Sequence, residues 1–408
     1  MMHQELIPHL FRTEYRKIIS VLCTRFGFEQ MEIAEDITSD TFLTAAQVWG
    51  LKGLPENPVA WLYHVAKNKA KNYLQRGNVF ERKITPEIKS GFQYLIEPEI
   101  DLSPQNINDS QLQMMFAICD PSISAEAQIG LSLRILCGFG IDEIADAFLS
   151  NKETINKRLF RAREKLREQK IKIALPETSQ IESRLDNVLT TIYLLFNEGY
   201  YSLNQDRLIR KDLCLEAMRL CTMLVENKIT NKPAVNALLS LMCFQSSRLD
   251  ARIDENGAII LYENQDESLW NPDLISRGGY FLNQASSGHA ISKYHLEAAI
   301  AYWSTKKTDT AEKWENVLEL YNQLLLIAYT PIAALNRTFA LSKVHGKETA
   351  IIEAEKLNLQ ESPFYFSLLG ELYRGMDNLK SKENFRKALA FIRSESGRQV
   401  IQTKLDGL

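Results

Sequence analysis

Between Lys152 and Lys172 basic residues outnumber acidic ones by nine to three, in a 408-residue chain whose formal net charge is −3. Lys152, Asn156, Lys157, Arg158, Phe160, Arg161 and Arg163 fall on one side of a helix, and Thr154 lies in its first turn. Ile155, Leu159, Ala162 and Leu166 occupy the other side at helical period. Arginine and lysine grip phosphates and guanine edges, and asparagine pairs with adenine, so this set of side chains suits duplex DNA. From spacing alone an ordinary solvated amphipathic face is equally admissible. The sign of the charge, in an acidic chain, tilts the reading toward a polyanion.

The element that must position this face is legible upstream of it. Ile141, Ile144, Ala145 and Phe148 form an apolar stripe at i, i+3, i+4 and i+7, which predicts a first short helix. Ser150 and Glu153 have capping-box spacing and predict the start of the second helix. Two helices joined by about four residues, the second basic, is the layout of a helix-turn-helix whose second helix enters the major groove.

A second candidate set lies near the N-terminus. Asn57-Pro58 is a cap residue followed by a proline suited to the first helical position. The helix it starts interleaves Lys67, Lys69, Lys71 and Arg76 with Trp61, Tyr63, His64, Asn68 and Asn72. Cations draw in a phosphate backbone and aromatic rings stack on exposed bases, the chemistry of holding an unpaired strand. The competing reading makes Trp61 and Tyr63 core or rim residues. Further upstream, Glu32, Glu35, Asp36 and Asp40 crowd the first turns of a predicted helix over about 30–48, where the helix dipole alone accounts for them.

These motifs closely resemble bacterial sigma-70 type RNA polymerase sigma factors, specifically the extracytoplasmic-function (ECF) class. EIADAF followed by ETINKRLFRAREKL resembles the family's promoter −35 reading region, WLYHVAKNKAKNYL its −10 recognition and melting segment, and AEDITSDTFLTAAQVW its core-binding segment. The resemblance implies that Lys157, Phe160 and Arg161 face base edges at −35. Thr154, Asn156 and Arg158 then sit nearer phosphates, with Lys152 and Arg163 on the same reading helix. It implies −10 roles for Asn68, Lys71 and Asn72, supported by Lys67 and Arg76, with Trp61 and Tyr63 at or beneath the melted strand. Glu35, Asp36, Asp40, Phe42 and Leu43 are implied in docking on core polymerase. One departure stands out: the turn position often held by glycine is Leu149, so the turn must close without a residue that adopts positive φ cheaply.

The resemblance and the periodicity together predict an all-α protein with four parts. Residues 1–78 are expected to form sigma region 2, residues 79–109 a linker with one short helix, and residues 110–175 region 4. Residues 176–408 are expected to be a helical extension, as in sigma factors with a large C-terminal addition. Within the extension Leu335, Phe339 and Ala354 recur 34 residues later as Leu369, Tyr373 and Ala388, the tetratricopeptide period, which predicts TPR-like repeats near 331–393. Asn256-Gly257 with Ala258 to Tyr262 predicts a small β-hairpin. Arg248, Asp250, Arg252, Glu263, Gln265 and Asp266 make that stretch the most enzyme-like of the chain, with Arg252, Asp266 and His295 as a possible centre. A salt-bridged loop is the weightier reading.

Composition narrows the rest. With 45% hydrophobic and 24% charged residues the chain reads as a soluble globular protein. No run approaches the roughly 18 apolar residues that a span requires, so no membrane partner is expected. Six cysteines without a C-x-x-C pair fit reduced, buried thiols in a cytoplasmic protein, and no metal or other cofactor is expected. The reading reached is a non-enzymatic promoter-specificity subunit. Its partners are core RNA polymerase and promoter DNA, with a regulatory protein or small-molecule signal acting at the extension. The alternative is a helix-turn-helix regulator with a partner-binding helical module and no polymerase contact, which leaves the similarity over 35–76 unexplained.

Overall fold

Five helices begin with a cap residue followed directly by proline. Asn57, Ser103, Asn271, Thr330 and Ser362 each accept a hydrogen bond from a backbone N–H three residues on. Proline in the next position loses nothing there, because the first N–H groups of a helix have no carbonyl to meet. The starts are therefore written locally, and the chain folds as helix after helix.

The computed structural model describes residues 2–84, 100–148, 150–200, 210–252, 260, 262–288, 290–392 and 395–408. They form eighteen α-helices in two compact units, residues 1–192 and 193–408. Helices α1 (Met2–Phe26), α2 (Met31–Lys52), α3 (Pro58–Ile84), α4 (Pro104–Ile118), α5 (Ala125–Leu131), α6 (Ile141–Ala147) and α7 (Lys152–Glu168) belong to the first unit, and α8 (Ile181–Tyr200) begins there. The second unit holds the end of α8 with α9 (Lys211–Glu226), α10 (Pro233–Ser246), α11 (Pro272–Ala285), α12 (Lys293–Trp303) and α13 (Ala311–Ile327). It continues through α14 (Pro331–His345), α15 (Lys347–Leu357), α16 (Pro363–Tyr373), α17 (Asn378–Phe391) and α18 (Glu395–Asp406). The all-α expectation is met.

In the first unit α1 is the axis, packing against α2, α3 and α4. Its Tyr15, Ile18, Ile19 and Leu22 are fully buried together with Met114 and Phe116 of α4. At about 1.5–3 kcal/mol for each buried large apolar side chain, such a cluster supplies the main term against chain entropy. Helix α5 runs into a π-helical turn over Ser132–Leu136 that carries Arg134 outward from buried neighbours. In the second unit two of the three pairs at 34-residue spacing share a core, whereas Phe339 is 38% exposed and its counterpart Tyr373 is only partly buried at the cluster's edge. Leu335, Ala354, Leu369 and Ala388 are all buried in one cluster with Phe385. Gly370 takes its place because the Phe385 ring lies where a Cβ would be, 2.7 Å away.

Three local expectations change. The second helix of the 141–170 motif is capped by Asn151, whose Oδ1 accepts from Thr154 N at 2.8 Å, and not by Ser150, whose own N–H donates to Ala145 O. Asparagine caps as well as serine, so the helix starts one residue later at no cost. Helix α3 continues to Ile84 and α4 begins at Pro104, which shortens the linker expected over 79–109 from both ends. Among the described residues no strand occurs, and Tyr262 opens a 3-10 turn instead of ending a hairpin. Asn256, Gly257, Ala258, Ile259 and Leu261 of that hairpin, the Leu149 turn position and residues 85–99 lie outside the described residues.

Candidate nucleic-acid interface

The apolar face of α7 is buried as its period demands: Ile155, Leu159, Ala162 and Leu166 are all at most 4% exposed. That fixes the helix's rotation, so Asn156, Lys157, Phe160 and Arg161 project from the opposite side as one contiguous stripe. Phe160 is 54% exposed, so its ring is open to solvent beside these polar groups. Lys152 and Thr154 are exposed in the first turn, Lys152 reaching Asp142 of α6 at 3.0 Å. Arg158 is half-buried, its guanidinium 5.4 Å from the centre of the Phe148 ring.

Arg163 departs from the stripe. Its Nη1 and Nη2 donate to Glu35 Oε2 and Oε1 at 2.9 and 2.8 Å, a bidentate pair between α7 and α2. Arg134 joins the same carboxylate, Nε to Oε1 at 3.2 Å. It also donates to Phe139 O and to the Tyr15 hydroxyl. The side chains of Glu35, Arg163 and Arg134 are 14%, 13% and 16% exposed. Burial pushes the Tyr15 phenol up to about 12, against the opposing pull of Arg134. This three-residue clasp was not visible from local pattern. Arg134 belongs to no basic run, and its partner is 99 residues away.

Helix α3 presents His64, Asn68, Lys71, Asn72 and Arg76 to solvent, with Asn68 Nδ2 2.8 Å from His64 Nε2. Lys67 is half-buried. The two aromatics sit lower. Trp61 is half-buried with its ring edge-on to Trp49 at 5.3 Å. The Tyr63 hydroxyl donates to the buried carboxylate of Glu14 at 2.6 Å, and burial followed by that carboxylate raises its pKa. Both rings thus brace α3 against its neighbours, leaving polar groups and cations on the open side.

The five residues on α2 divide. Asp36 and Asp40 are exposed, Asp40 taking a hydrogen bond from Lys69. Leu43 is 57% exposed. Phe42 is 4% exposed and lies edge-on to Phe11, inside the core. Glu35 is held in the clasp.

In the second unit no centre gathers Arg252, Asp266 and His295. Asp266 caps a 3-10 turn by accepting from Ser268 N, and both ring nitrogens of His295 are engaged, by Ser292 and by Ala285 O. All six cysteines are buried and none forms a disulfide. No described helix is long and apolar enough to cross a membrane.

Comparison with known proteins bears on the same segments. Residues 10–79 match the family described as sigma-70 region 2. Residues 184–286 match a family of unknown function, DUF6596. The chain is 30% identical over 389 residues to "Uncharacterized protein R00370" of Rhizobium meliloti (strain 1021), a match that covers 93% of this chain and 91% of that protein. No solved structure matches. The chain thus belongs to one family with R00370 along nearly all of its length, and its first unit carries a sigma-70 region 2, the domain by which sigma-70 family sigma factors bind core RNA polymerase and promoter DNA.

Proposed function

We propose that the chain is an ECF-type sigma factor that directs core RNA polymerase to two-element promoters. In this reading α3 holds the parted −10 strand through Asn68, Lys71, Asn72 and Arg76, with Lys67 beside them and Trp61 and Tyr63 beneath. Helix α7 acts as the recognition helix of a helix-turn-helix at −35, with Lys157, Phe160 and Arg161 at base edges and Lys152, Thr154, Asn156 and Arg158 nearer phosphates. Asp36, Asp40 and Leu43 meet polymerase. Glu35 joins them once Arg163 and Arg134 release it, and Phe42 supports them from the core. The extension, with TPR-like repeats over 331–393, regulates this activity from the cytoplasm.

The observation that carries the reading is the pair of solvent-facing polar and basic stripes, on α3 and on α7. Phosphate neutralisation gives such stripes affinity, and base-edge contacts give them specificity. The test is transcription with purified chain and core polymerase on genomic DNA. Specific initiation from a subset of promoters is expected, and its absence at every promoter rejects the proposal. The alternative, a DNA-binding regulator without a polymerase role, is favoured by one feature: Glu35 and Asp40 are already engaged within the chain. Retention of core polymerase in a pull-down separates the two.

A further inference from the structure

The second unit contains a cavity of about 440 Å³, within the range of sites that enclose small organic molecules. Its polar lining has a definite sign. Arg248 and Arg252, from the turn after α10, both border it, and among the described residues neither forms an ion pair. The Arg252 guanidinium lies 4.0 Å from the centre of the Tyr200 ring and donates to Tyr200 O. The Arg248 guanidinium stands 5.3 Å from the Tyr262 ring centre, and its buried Nε–H has no acceptor. The one acidic lining residue among those described is Glu297 of α12, set against the two guanidinium groups, and burial raises its pKa while Tyr193 and Lys293 oppose that rise.

A second observation points into the same space. Gln265 is 4% exposed, its Nε2 donates to Ile260 O at 3.2 Å, and its Oε1 has no donor at all. A buried acceptor left bare is destabilising, and a ligand N–H or O–H would satisfy it. The remaining walls mix polar groups such as Ser304 and Asn336 with rings and aliphatic chains: Tyr262, braced by Lys313 at its hydroxyl, Tyr321, Ile300 and Leu324. Guanidinium pairs planar carboxylates in a two-pronged way that amides and amines cannot match.

We propose that this cavity is a binding site for a small organic carboxylate with an apolar or aromatic body and one hydrogen-bond donor, its carboxylate held by Arg248 and Arg252 and its donor by Gln265. Binding does not depend on the promoter reading, which concerns the first unit. Only the step from occupancy to transcription rests on it.

The test is calorimetric titration of the full chain with 4-hydroxybenzoate, benzoate and 3-phenyllactate, against 4-hydroxybenzamide and inorganic phosphate. The carboxylates are expected to bind at millimolar concentration or below, those with a hydroxyl more tightly than benzoate. The amide and phosphate are expected to bind at least tenfold more weakly. R248Q is expected to weaken the carboxylates tenfold or more. Should R248Q fail to fold, Q265E, which adds a carboxylate to the cavity that competes with the ligand's for the two guanidinium groups, is expected to abolish binding while keeping the parent's circular dichroism. No saturable heat from any of the three carboxylates, equal binding of the amide, preference for phosphate, or parent-like affinity in a folded R248Q or Q265E would each overturn the assignment.

Discussion

Replacing Glu35 with alanine tests whether the clasp between α2 and α7 holds the first unit together. The carboxylate is shared by Arg163, through two parallel hydrogen bonds of 2.8 and 2.9 Å, and by Arg134 at 3.2 Å, with all three side chains at most 16% exposed. Deleting it leaves two guanidinium groups in a partly dry site with no counter-charge. Breaking a buried pair from one side costs about 3–5 kcal/mol, most of it the penalty of the stranded charge. Swapping the whole group for apolar residues of similar volume is close to neutral by the same reasoning. Glu35→Ala is therefore expected to be severe, and Glu35→Leu with Arg163→Met and Arg134→Leu mild. Glu35 also lies in the segment proposed to meet polymerase, so the assay must not involve polymerase. Native-state hydrogen exchange of the full chain qualifies, because it reads local opening at α2 and α7 directly. A loss of about 3 kcal/mol or more appears there as a rise in opening on the order of a hundredfold or more. Protection within threefold of the parent in Glu35→Ala, or a triple variant worse than the single one, would refute the claim that these charges are mutually dependent.

Other expectations come from single groups. Arg161→Ala should weaken −35 use in a base-dependent manner, by roughly 1–3 kcal/mol if its contact is bidentate; equal losses on scrambled −35 sequences in a binding titration would contradict that role. Lys71→Ala should weaken all promoters alike and flatten the salt dependence of binding. Asn151→Ala removes the cap on α7 and should cost about 1 kcal/mol in a denaturant titration. Gly370→Ala would set a Cβ 2.7 Å from the Phe385 ring, and overpacking of that kind costs about 1–3 kcal/mol, read as a lowered melting temperature. Burial raises the Glu297 pKa, with Tyr193 and Lys293 opposing it, so its contribution is fully present below the unfolded value near 4.5 and is lost as pH rises through the folded value. Glu297→Gln should consequently match the parent near pH 4 and gain on it toward pH 8, and a pH-independent difference would dispose of that account.

Much of this was readable in the chain because it was written at short range. The apolar face of α7 is settled by period, and burial of Ile155, Leu159, Ala162 and Leu166 follows. The cap-proline pairs mark helix starts, including Asn57-Pro58, and the 34-residue spacing singled out Leu335, Ala354, Leu369 and Ala388, which share a core near the C-terminus, though also Phe339, which lies outside it. Sequence left open, or misjudged, what depends on distant partners. Trp61 and Tyr63 look like stacking platforms when α3 is considered alone, and only Trp49 and Glu14 reveal that they also anchor it. The Asn256-Gly257 signal was a fair hairpin cue, yet Tyr262 enters a 3-10 turn whose ring packs under Arg248.

The clasp shows why such misjudgements matter for function. Read separately, Glu35 belongs to an acidic face awaiting a partner and Arg163 to a basic face awaiting another. Folded, each is the other's partner, and each face is reduced to the groups that remain outside: Asp36 and Leu43 on one, Asn156, Lys157, Phe160 and Arg161 on the other. A promoter complex that required α2 and α7 to separate would have to supply new counter-charges for Glu35, Arg134 and Arg163 at once. Polymerase can meet the first, and phosphate can meet an arginine of α7. Arg134, enclosed by Tyr15 and Phe139, has no such exchange and is expected to stay with α1 when the clasp opens.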